Sequence, residues 1–270
     1  MRRRIEALLL ISSVFAPANL RAQDKDVEGV VSTTPLEAFA RPTLSMGIDA
    51  STGRYGGPDT TRTLISPITL RVPVSAGLTL STSIARVQIS GPNVVVGPDG
   101  RPLPGVGLVR STRAGIGDLS FGASWEVPLK SDHWSIQTSG RIKIPTSQKS
   151  KGLSTGKTDF AGKIEVTYIA GAFAPFASLE YQVMGKPEGL AFRNTINTSV
   201  GTAWISGKNA IMASYDYNQS ISGLIEDGHS LFGAYSSPVS QKLRLTLYGI
   251  KGLSAGSANV EGGAILSITF

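Results

Sequence analysis

The chain has 270 residues, enough for one large domain or two small ones, and it contains no cysteine. Disulfide bonds and thiolate metal sites are therefore excluded. The net charge of +7 does not indicate a nucleic-acid-binding protein. Four basic residues and one acidic residue lie in the first 22 positions, so the remainder carries only +4, in scattered positions.

The first 22 residues have the layout of a signal peptide. Three arginines at positions 2–4 precede the apolar run ALLLISSVFAPA at 7–18, and small residues follow. This run is too short to span a bilayer, which takes about 20 apolar residues. We therefore predict export, with cleavage after Ala22 or Ala18. Residues 23–41 then form a short periplasmic lead, interpreted either as a disordered tether or as a small plug.

From residue 42 to the C-terminus, apolar and polar residues alternate with the period of two that is typical of strands. In the segment SIQTSGRIKI, Ile142 and Ile144 share one face of the strand. The other face carries Arg141 and Lys143. The pattern predicts twelve strands, which span 42–54, 61–73, 77–89, 115–128, 134–146, 158–169, 172–184, 192–205, 209–220, 229–238, 241–252 and 257–270.

The links between these strands alternate in length. Links after odd-numbered strands are long or polar, whereas links after even-numbered strands are tight, as in outer-membrane barrels. Aromatic residues form two groups, as expected for two membrane interfaces. One group lies near the tight turns (Trp125, Trp134, Tyr168, Phe173, Trp204), and the other lies near the long links (Phe160, Phe192, Tyr217, Tyr248).

These features predict an all-β fold, a transmembrane antiparallel up-and-down β-barrel over residues 42–270, in the bacterial outer membrane. A sheet that spans hydrocarbon must close, because every backbone N–H and C=O group needs an internal partner. The last strand, which ends in GGAILSITF, therefore pairs with the first strand. A terminal aromatic residue after alternating apolar residues is typical of the C-terminal signal recognised by the outer-membrane assembly machinery, and we assign that role to Phe270.

If the apolar face of each strand contacts lipid, the charged residues line the lumen. They are either a paired, hydrated lining or segregated patches whose transverse field orients a solute. The basic and acidic candidates are balanced in number. These candidates are Asp49, Arg71, Glu126, Arg141, Lys143, Lys163, Glu165, Glu180, Asp216, Lys242, Arg244 and Glu261.

A twelve-stranded barrel lies between eight-stranded barrels, which side chains fill, and sixteen-stranded open porins. We therefore expect a narrow channel for passive passage of small solutes. The long segment at 90–114 contains two apolar stretches and either folds inward as a constriction or contributes to the outer rim. The alternatives are a non-conducting surface anchor or adhesin, and an outer-membrane lipid-modifying enzyme.

The sequence offers little for catalysis. It contains only His133, in a predicted tight turn, and His229. Because His229 directly precedes Ser230, the two side chains point to opposite faces of a strand and cannot form a catalytic pair there. We predict no enzymatic activity, no metal and no cofactor. The expected partners are outer-membrane lipid and lipopolysaccharide, the assembly machinery and a small solute, with no nucleic acid.

Two segments within residues 115–185 carry a family resemblance. In the first, Gly115, Gly117 and Asp118 start a strand. In the second, a Pro-Thr turn and a Gly-rich loop lead to an Asp-initiated strand, with matches at Ile144, Pro145, Thr146, Gly156 and Asp159. This pattern resembles small outer-membrane transporter-like barrels associated with meta-pathway phenol degradation, although Ile144 stands where that pattern has Leu. The resemblance implies a channel for small aromatic or hydrophobic solutes.

Overall fold

The computed structural model describes residues 41–55, 59–92, 110–147, 151–188, 191–223 and 225–270. The predicted signal peptide (1–22), nearly all of the predicted lead (23–41) and most of the predicted loop at 90–114 lie outside these residues. Within the described ranges, no helix is long and apolar enough to cross a membrane.

The described residues form thirteen strands, and exposure alternates clearly along several of them, such as Phe173–Val183 and Asn209–Asn218. Their bounds agree with the predicted strands to within a few residues, apart from the fourth. They are β1 (Thr43–Gly53), β2 (Thr61–Ser75), β3 (Leu78–Pro92), β4 (Arg110–Ile116), β5 (Leu119–Glu126), β6 (Trp134–Ile144), β7 (Asp159–Tyr168), β8 (Phe173–Val183), β9 (Thr195–Ser206), β10 (Asn209–Asn218), β11 (Gly228–Pro238), β12 (Leu243–Gly252) and β13 (Val260–Thr269).

The strands close into one antiparallel barrel. Consecutive strands pair with each other, except that β4 and β5 both pair with β3, and β13 also pairs with β1, with Thr43 opposite Thr269 and Thr52 opposite Val260. The backbone N–H of Phe270 donates to the Pro42 carbonyl, which extends this seam to the chain end. Closure satisfies the backbone groups that hydrocarbon would leave unpaired. The predicted fold class, a β-barrel with twelve strand positions, is confirmed.

The fourth strand position is broken, which corrects the prediction of a single strand over 115–128. Both β4 and β5 pair with β3, with Ile116 opposite Arg86 and Ser120 opposite Ser83. Residues 117–119 therefore face only two residues of β3, which is the signature of a β-bulge. The strand also starts earlier than predicted, at Arg110, so the ends of the predicted loop at 90–114 belong to β3 and β4.

Exposed apolar side chains cover the outer surface of the barrel. On β10, Ile211 and Tyr215 are exposed, whereas Met212, Ser214 and Asp216 between and beside them are buried in the lumen. The same alternation places Ile48, Leu179 and Leu247 on the outside of β1, β8 and β12. Such a surface suits lipid rather than water.

The two ends of the barrel differ in the length of their links. Short turns such as Ala76–Gly77 and Gly207–Lys208 join strands at one end, and each contains a glycine with positive φ (79° and 60°) that other residues rarely adopt. By the general rule for these barrels, this end is periplasmic. All three tryptophans lie at this end with exposed rings, and Trp134 packs on Tyr168 with ring centroids 4.9 Å apart.

Two aromatic residues assigned to the opposite group point inward instead. Phe192 is buried among Met184, Ile221 and Ile225 in the links after β8 and β10. Tyr248 reaches across the lumen wall to Asp49. Position along the chain predicted which end of the barrel these aromatics lie near but not that they point inward.

Candidate functional site

The lumen is the candidate functional site. Twelve strands about 4.8 Å apart and tilted by about 40° enclose a backbone cylinder roughly 24 Å across. Side chains that project from opposite walls occupy much of that width, so individual inward residues decide what can pass.

Eleven of the twelve predicted lumen residues occupy inward strand positions, buried or half-buried, in the described structure: Asp49, Arg71, Glu126, Arg141, Lys143, Lys163, Glu165, Glu180, Asp216, Arg244 and Glu261. Lys242 is the exception, because β12 begins only at Leu243. The Ser240 hydroxyl accepts hydrogen bonds from the N–H groups of Lys242 and Leu243, which holds Lys242 in an exposed turn at the short-turn end.

A mixed cluster of charges lies on the inner face of β6, β7 and β8. Lys163 Nζ lies 2.7 Å from Glu165 Oε2, and Arg141 Nη2 lies 3.7 Å from Glu180 Oε2. Asn197 on β9 donates to the other Glu180 oxygen at 3.0 Å. Opposite charges therefore alternate in this sector, as in the paired lining that the sequence left as one of two interpretations. Arg141, Lys163 and Glu180 border a small cavity of about 60 Å³ together with serine side chains.

Two aromatic side chains contact glycines on the inner wall. The Tyr248 hydroxyl donates to Asp49 Oδ2 at 2.6 Å, and its ring crosses Gly263 on the strand between them. A side chain at Gly263 would overlap this ring. Phe176 covers Gly201 in the same way, with its ring tip 2.6 Å from the position that a Cβ atom would take. These glycines keep the rings close to the wall.

Apolar side chains also face the lumen, which the sequence analysis missed. The inner faces of β2 and β3 carry a cluster of Ile65, Ala85, Val87 and Ile89. A second cluster runs from the end of β7 across β8 to β12 and comprises Ile169, Ala174, Phe176, Ala203, Met212, Phe232, Ala234 and Ile250. The segment ARVQIS in β3 could have revealed this from the sequence. Its polar residues face outward at the long-link end of the barrel, so its apolar residues face the lumen.

The link between β6 and β7 enters the lumen. In residues 151–156, which we name the inward loop, Leu153, Ser154 and Thr155 are buried, and Leu153 completes the apolar cluster on β2 and β3. Gly115 on β4 makes room for this contact, because a Cβ atom there would lie 2.8 Å from Leu153 Cδ1. The inward loop therefore narrows the long-link end of the lumen along one wall.

A buried ion-pair cluster holds the inward loop. Lys143 Nζ lies 3.1 Å from Asp118 Oδ2 and 2.6 Å from Asp159 Oδ2, and all three side chains are almost fully buried. Asp118, in the bulge, also accepts hydrogen bonds from Ser154 Oγ at 2.6 Å and from Ser147 N at 3.0 Å. We name Asp118, Lys143 and Asp159 the Lys143 anchor. It fixes both ends of the link that contains the inward loop.

The anchor explains the motif that carries the family resemblance. Asp118 is the aspartate after Gly117, and Asp159 opens β7. Thr146 joins the two segments, because its hydroxyl donates to the Gly117 carbonyl and accepts from Leu119 N at 3.0 Å. The sequence showed Asp118 and Asp159 as motif residues but assigned neither to the lumen, since their proximity to Lys143 depends on strand pairing.

The histidines lie away from the lumen. His133 is exposed in the link after β5, where its Nδ1 lies 3.1 Å from the Ile169 carbonyl oxygen. His229 faces outward and contacts the Tyr215 hydroxyl at 2.6 Å, whereas Ser230 is buried inside. Among the residues that the structure describes, no group of three or more His, Cys, Asp or Glu side chains is placed to hold a metal ion.

Comparison of folds gives an outer-membrane channel from Pseudomonas putida F1, with a TM-score of 0.64 at 12% identity, covering 91% of this chain and 98% of that one. Two further barrels resemble this chain more loosely, and neither likeness bears on function. They are the P. putida toluene transporter TodX (TM-score 0.45, 10% identity, covering 85% of this chain and 90% of that one) and the outer-membrane phospholipase A of Escherichia coli (TM-score 0.45, 8% identity, covering 100% of this chain and 98% of that one).

Sequence comparison with curated proteins gives no match. Residues 43–270, which include all thirteen strands, match the family described as "Putative MetA-pathway of phenol degradation". The chain therefore belongs to this family, and its fold is that of a Gram-negative outer-membrane channel.

Proposed function

We propose that the chain forms a narrow channel across the bacterial outer membrane for passive passage of small aromatic or hydrophobic solutes. The observation that carries this proposal is the apolar surface on the inner wall. Ile65, Val87, Phe176 and Phe232 face the lumen and offer contacts that an apolar solute would use. The family description, which refers to phenol degradation, supports the same solute class.

The inward loop makes the channel narrow and selective. It covers the apolar cluster of β2 and β3 with Leu153, so a solute entering at the long-link end passes beside it or displaces it. Displacement exposes Ile65, Val87 and Ile89 to the solute. Passage is driven by the concentration gradient alone in this proposal.

Single-channel conductance of the refolded mature protein in a planar bilayer tests the proposal. We expect small discrete steps that phenol or toluene reduces at concentrations where a polar solute of similar size, such as glycerol, does not. Folding is verified independently by heat-shifted gel mobility. A folded barrel that gives no current and no solute flux would contradict the proposal.

A non-conducting surface anchor is the second candidate. The observation in its favour is that the inward loop and the Lys143 anchor occupy part of the lumen at its long-link end. The same conductance measurement separates the two, because an anchor remains silent even when Leu153 is truncated. Enzymatic activity is not part of the proposal, since in the described residues the His133 ring contacts the Ile169 carbonyl and the His229 ring contacts the Tyr215 hydroxyl, and neither contact is with a serine hydroxyl.

Export and assembly complete the proposal. The signal peptide at 1–22 directs the chain to the periplasm, and Phe270 presents its exposed ring at the end of β13 to the assembly machinery. Lipid and lipopolysaccharide then cover the outer apolar surface. Deletion of Phe270 is expected to lower the amount of barrel in the outer membrane while leaving the refolded protein heat-modifiable in vitro. Equal amounts of wild type and variant in membrane fractions would contradict this role.

A further inference from the structure

An acceptor site lies on the inner face of β10. Asp216 and Asn218 are two residues apart, so both side chains point into the lumen, and both are almost completely buried. Asp216 Oδ1 accepts hydrogen bonds from Ser199 Oγ at 2.6 Å and Ser214 Oγ at 3.0 Å. Asp216 Oδ2 and Asn218 Oδ1 are buried oxygens without a hydrogen-bond partner in the described structure.

Buried acceptors without donors are costly, so natural proteins rarely keep them without a reason. The cation whose charge acts on Asp216 is Lys163, but its ammonium group lies 2.7 Å from Glu165. The strand neighbours of Asp216, Ser199 on β9 and Ser230 on β11, are small. The two oxygens therefore form a site that suits a donor supplied by another molecule.

Apolar surface borders this site in both directions along β10. Toward the short turns, Met212 and Phe232 belong to the larger apolar cluster, and Phe232 is directly opposite Ser214. Toward the long links, Ile221 and Ile225 pack with Met184 and Phe192 just beyond the end of the strand. A solute that matches these surfaces, with acceptor oxygens between two apolar regions, has an apolar body and at least one O–H or N–H donor.

We infer that Asp216 and Asn218 form a binding site in the channel for solutes that combine an apolar body with a hydrogen-bond donor. The inference rests on the proposed channel function and names the solute class more narrowly. A phenol satisfies both requirements, whereas the equivalent methyl ether has the same ring but no donor. The site favours the phenol because only the phenol can donate a hydrogen bond to one of the two buried oxygens.

Binding of phenol and anisole to the refolded protein in lipid nanodiscs, measured by calorimetry with empty nanodiscs subtracted, tests the inference. One hydrogen bond to a buried charged group corresponds to about tenfold in affinity or more. We expect the wild type to bind phenol about tenfold more tightly than anisole. Asp216→Asn and Asn218→Leu should each remove most of that preference by weakening phenol binding. Two variants are used so that poor folding of one does not prevent the test.

Thr246→Val is the matched control, because Thr246 is also buried and inward but its hydroxyl already donates to Ser236 at 3.0 Å. It should leave the phenol preference unchanged. Equal binding of phenol and anisole by the wild type, or an unchanged preference in both site variants, would overturn the inference. A change in cation selectivity in Asp216→Asn without a change in phenol binding would likewise overturn it, by assigning the carboxylate to ions.

Conductance is measured on the same preparations, so that the two proposals fail separately. If the protein binds phenol more tightly than anisole but gives no current, the channel function is refuted and the binding site stands. Conductance without donor preference would keep the channel and refute the site.

Discussion

Substitution of Lys143 by methionine should both destabilise the barrel and release the inward loop. Lys143 Nζ is the shared partner of Asp118 and Asp159, whose oxygens lie at 3.1 and 2.6 Å from it. Methionine fills a similar volume but leaves two buried carboxylates facing each other. Removing one partner of a buried ion pair lowers the free energy of unfolding by about 3–5 kcal/mol.

The geometry supports a value in that range. The two carboxylate oxygens contact the same ammonium group, so they lie within about 6 Å of each other, and their repulsion at an effective dielectric constant of about 20 is about 3 kcal/mol. Protonation of one carboxyl group limits the cost. The Ser154 hydroxyl, which donates to Asp118, then loses its fixed partner, and the inward loop loses its attachment.

The assay combines stability with conductance. We expect Lys143→Met to lower the temperature of the heat-dependent gel shift and to increase the open conductance. Lys163→Met is the matched control, because Lys163 is also a lumenal lysine, with its ammonium group 2.7 Å from Glu165, but its side chain is more exposed than that of Lys143. A triple variant with Asp118→Asn and Asp159→Asn added should recover most of the stability. The reasoning is refuted if Lys143→Met costs no more than Lys163→Met and leaves the conductance unchanged.

Three further changes test other parts of the structure. Leu153→Ala removes a fully buried side chain of the inward loop, which for a core leucine costs about 2–5 kcal/mol of stability. The substitution should raise the open probability of the channel in planar bilayers, whereas Lys151→Ala in the same loop should not. Gly263→Ala places a methyl group against the Tyr248 ring and should lower stability to denaturant by about 1–3 kcal/mol, whereas Gly162→Ala, which meets open space, should not. Leu179→Arg introduces a charge on the lipid-facing side of β8 and should cost about 2–4 kcal/mol in unfolding from lipid vesicles.

Each change has a result that would contradict it. Unchanged gating in Leu153→Ala would mean that the apolar contact does not hold the inward loop. Equal stability of the Gly263 and Gly162 variants would mean that the ring moves away from the wall at no cost. A Leu179→Arg barrel as stable in lipid as the wild type would contradict the assignment of that face to the membrane.

Prediction from the sequence succeeded where one strand contains the whole signal. The alternation in β6 and β12 identifies two faces without reference to any other part of the chain, because side chains of a strand alternate regardless of its partners. Lys242 was placed in the lumen by the alternation, but a turn at Ser240 delays the start of β12 to Leu243, two residues after the predicted start at 241. The broken fourth strand was missed because a bulge changes the register by one residue without changing composition.

The candidate site was predicted only in part, for the same reason. Inward charges such as Asp216 and Glu165 stand out because a charge on the lipid face is costly. Apolar residues that face the lumen, such as Val87 and Phe176, look the same in sequence as residues that face lipid. No local pattern separates the two.

The sequence by itself determined that this chain is a closed barrel. Period-two hydrophobicity and alternating link lengths can be read locally along the chain, and a sheet in lipid must close because every backbone N–H and C=O group needs an internal partner. Only the tertiary structure decided which residues meet inside it. Asp118 reaches Lys143 and Asp159, and Tyr248 reaches Asp49, through strand register. Register depends on the pairing of distant segments, which a single strand does not encode.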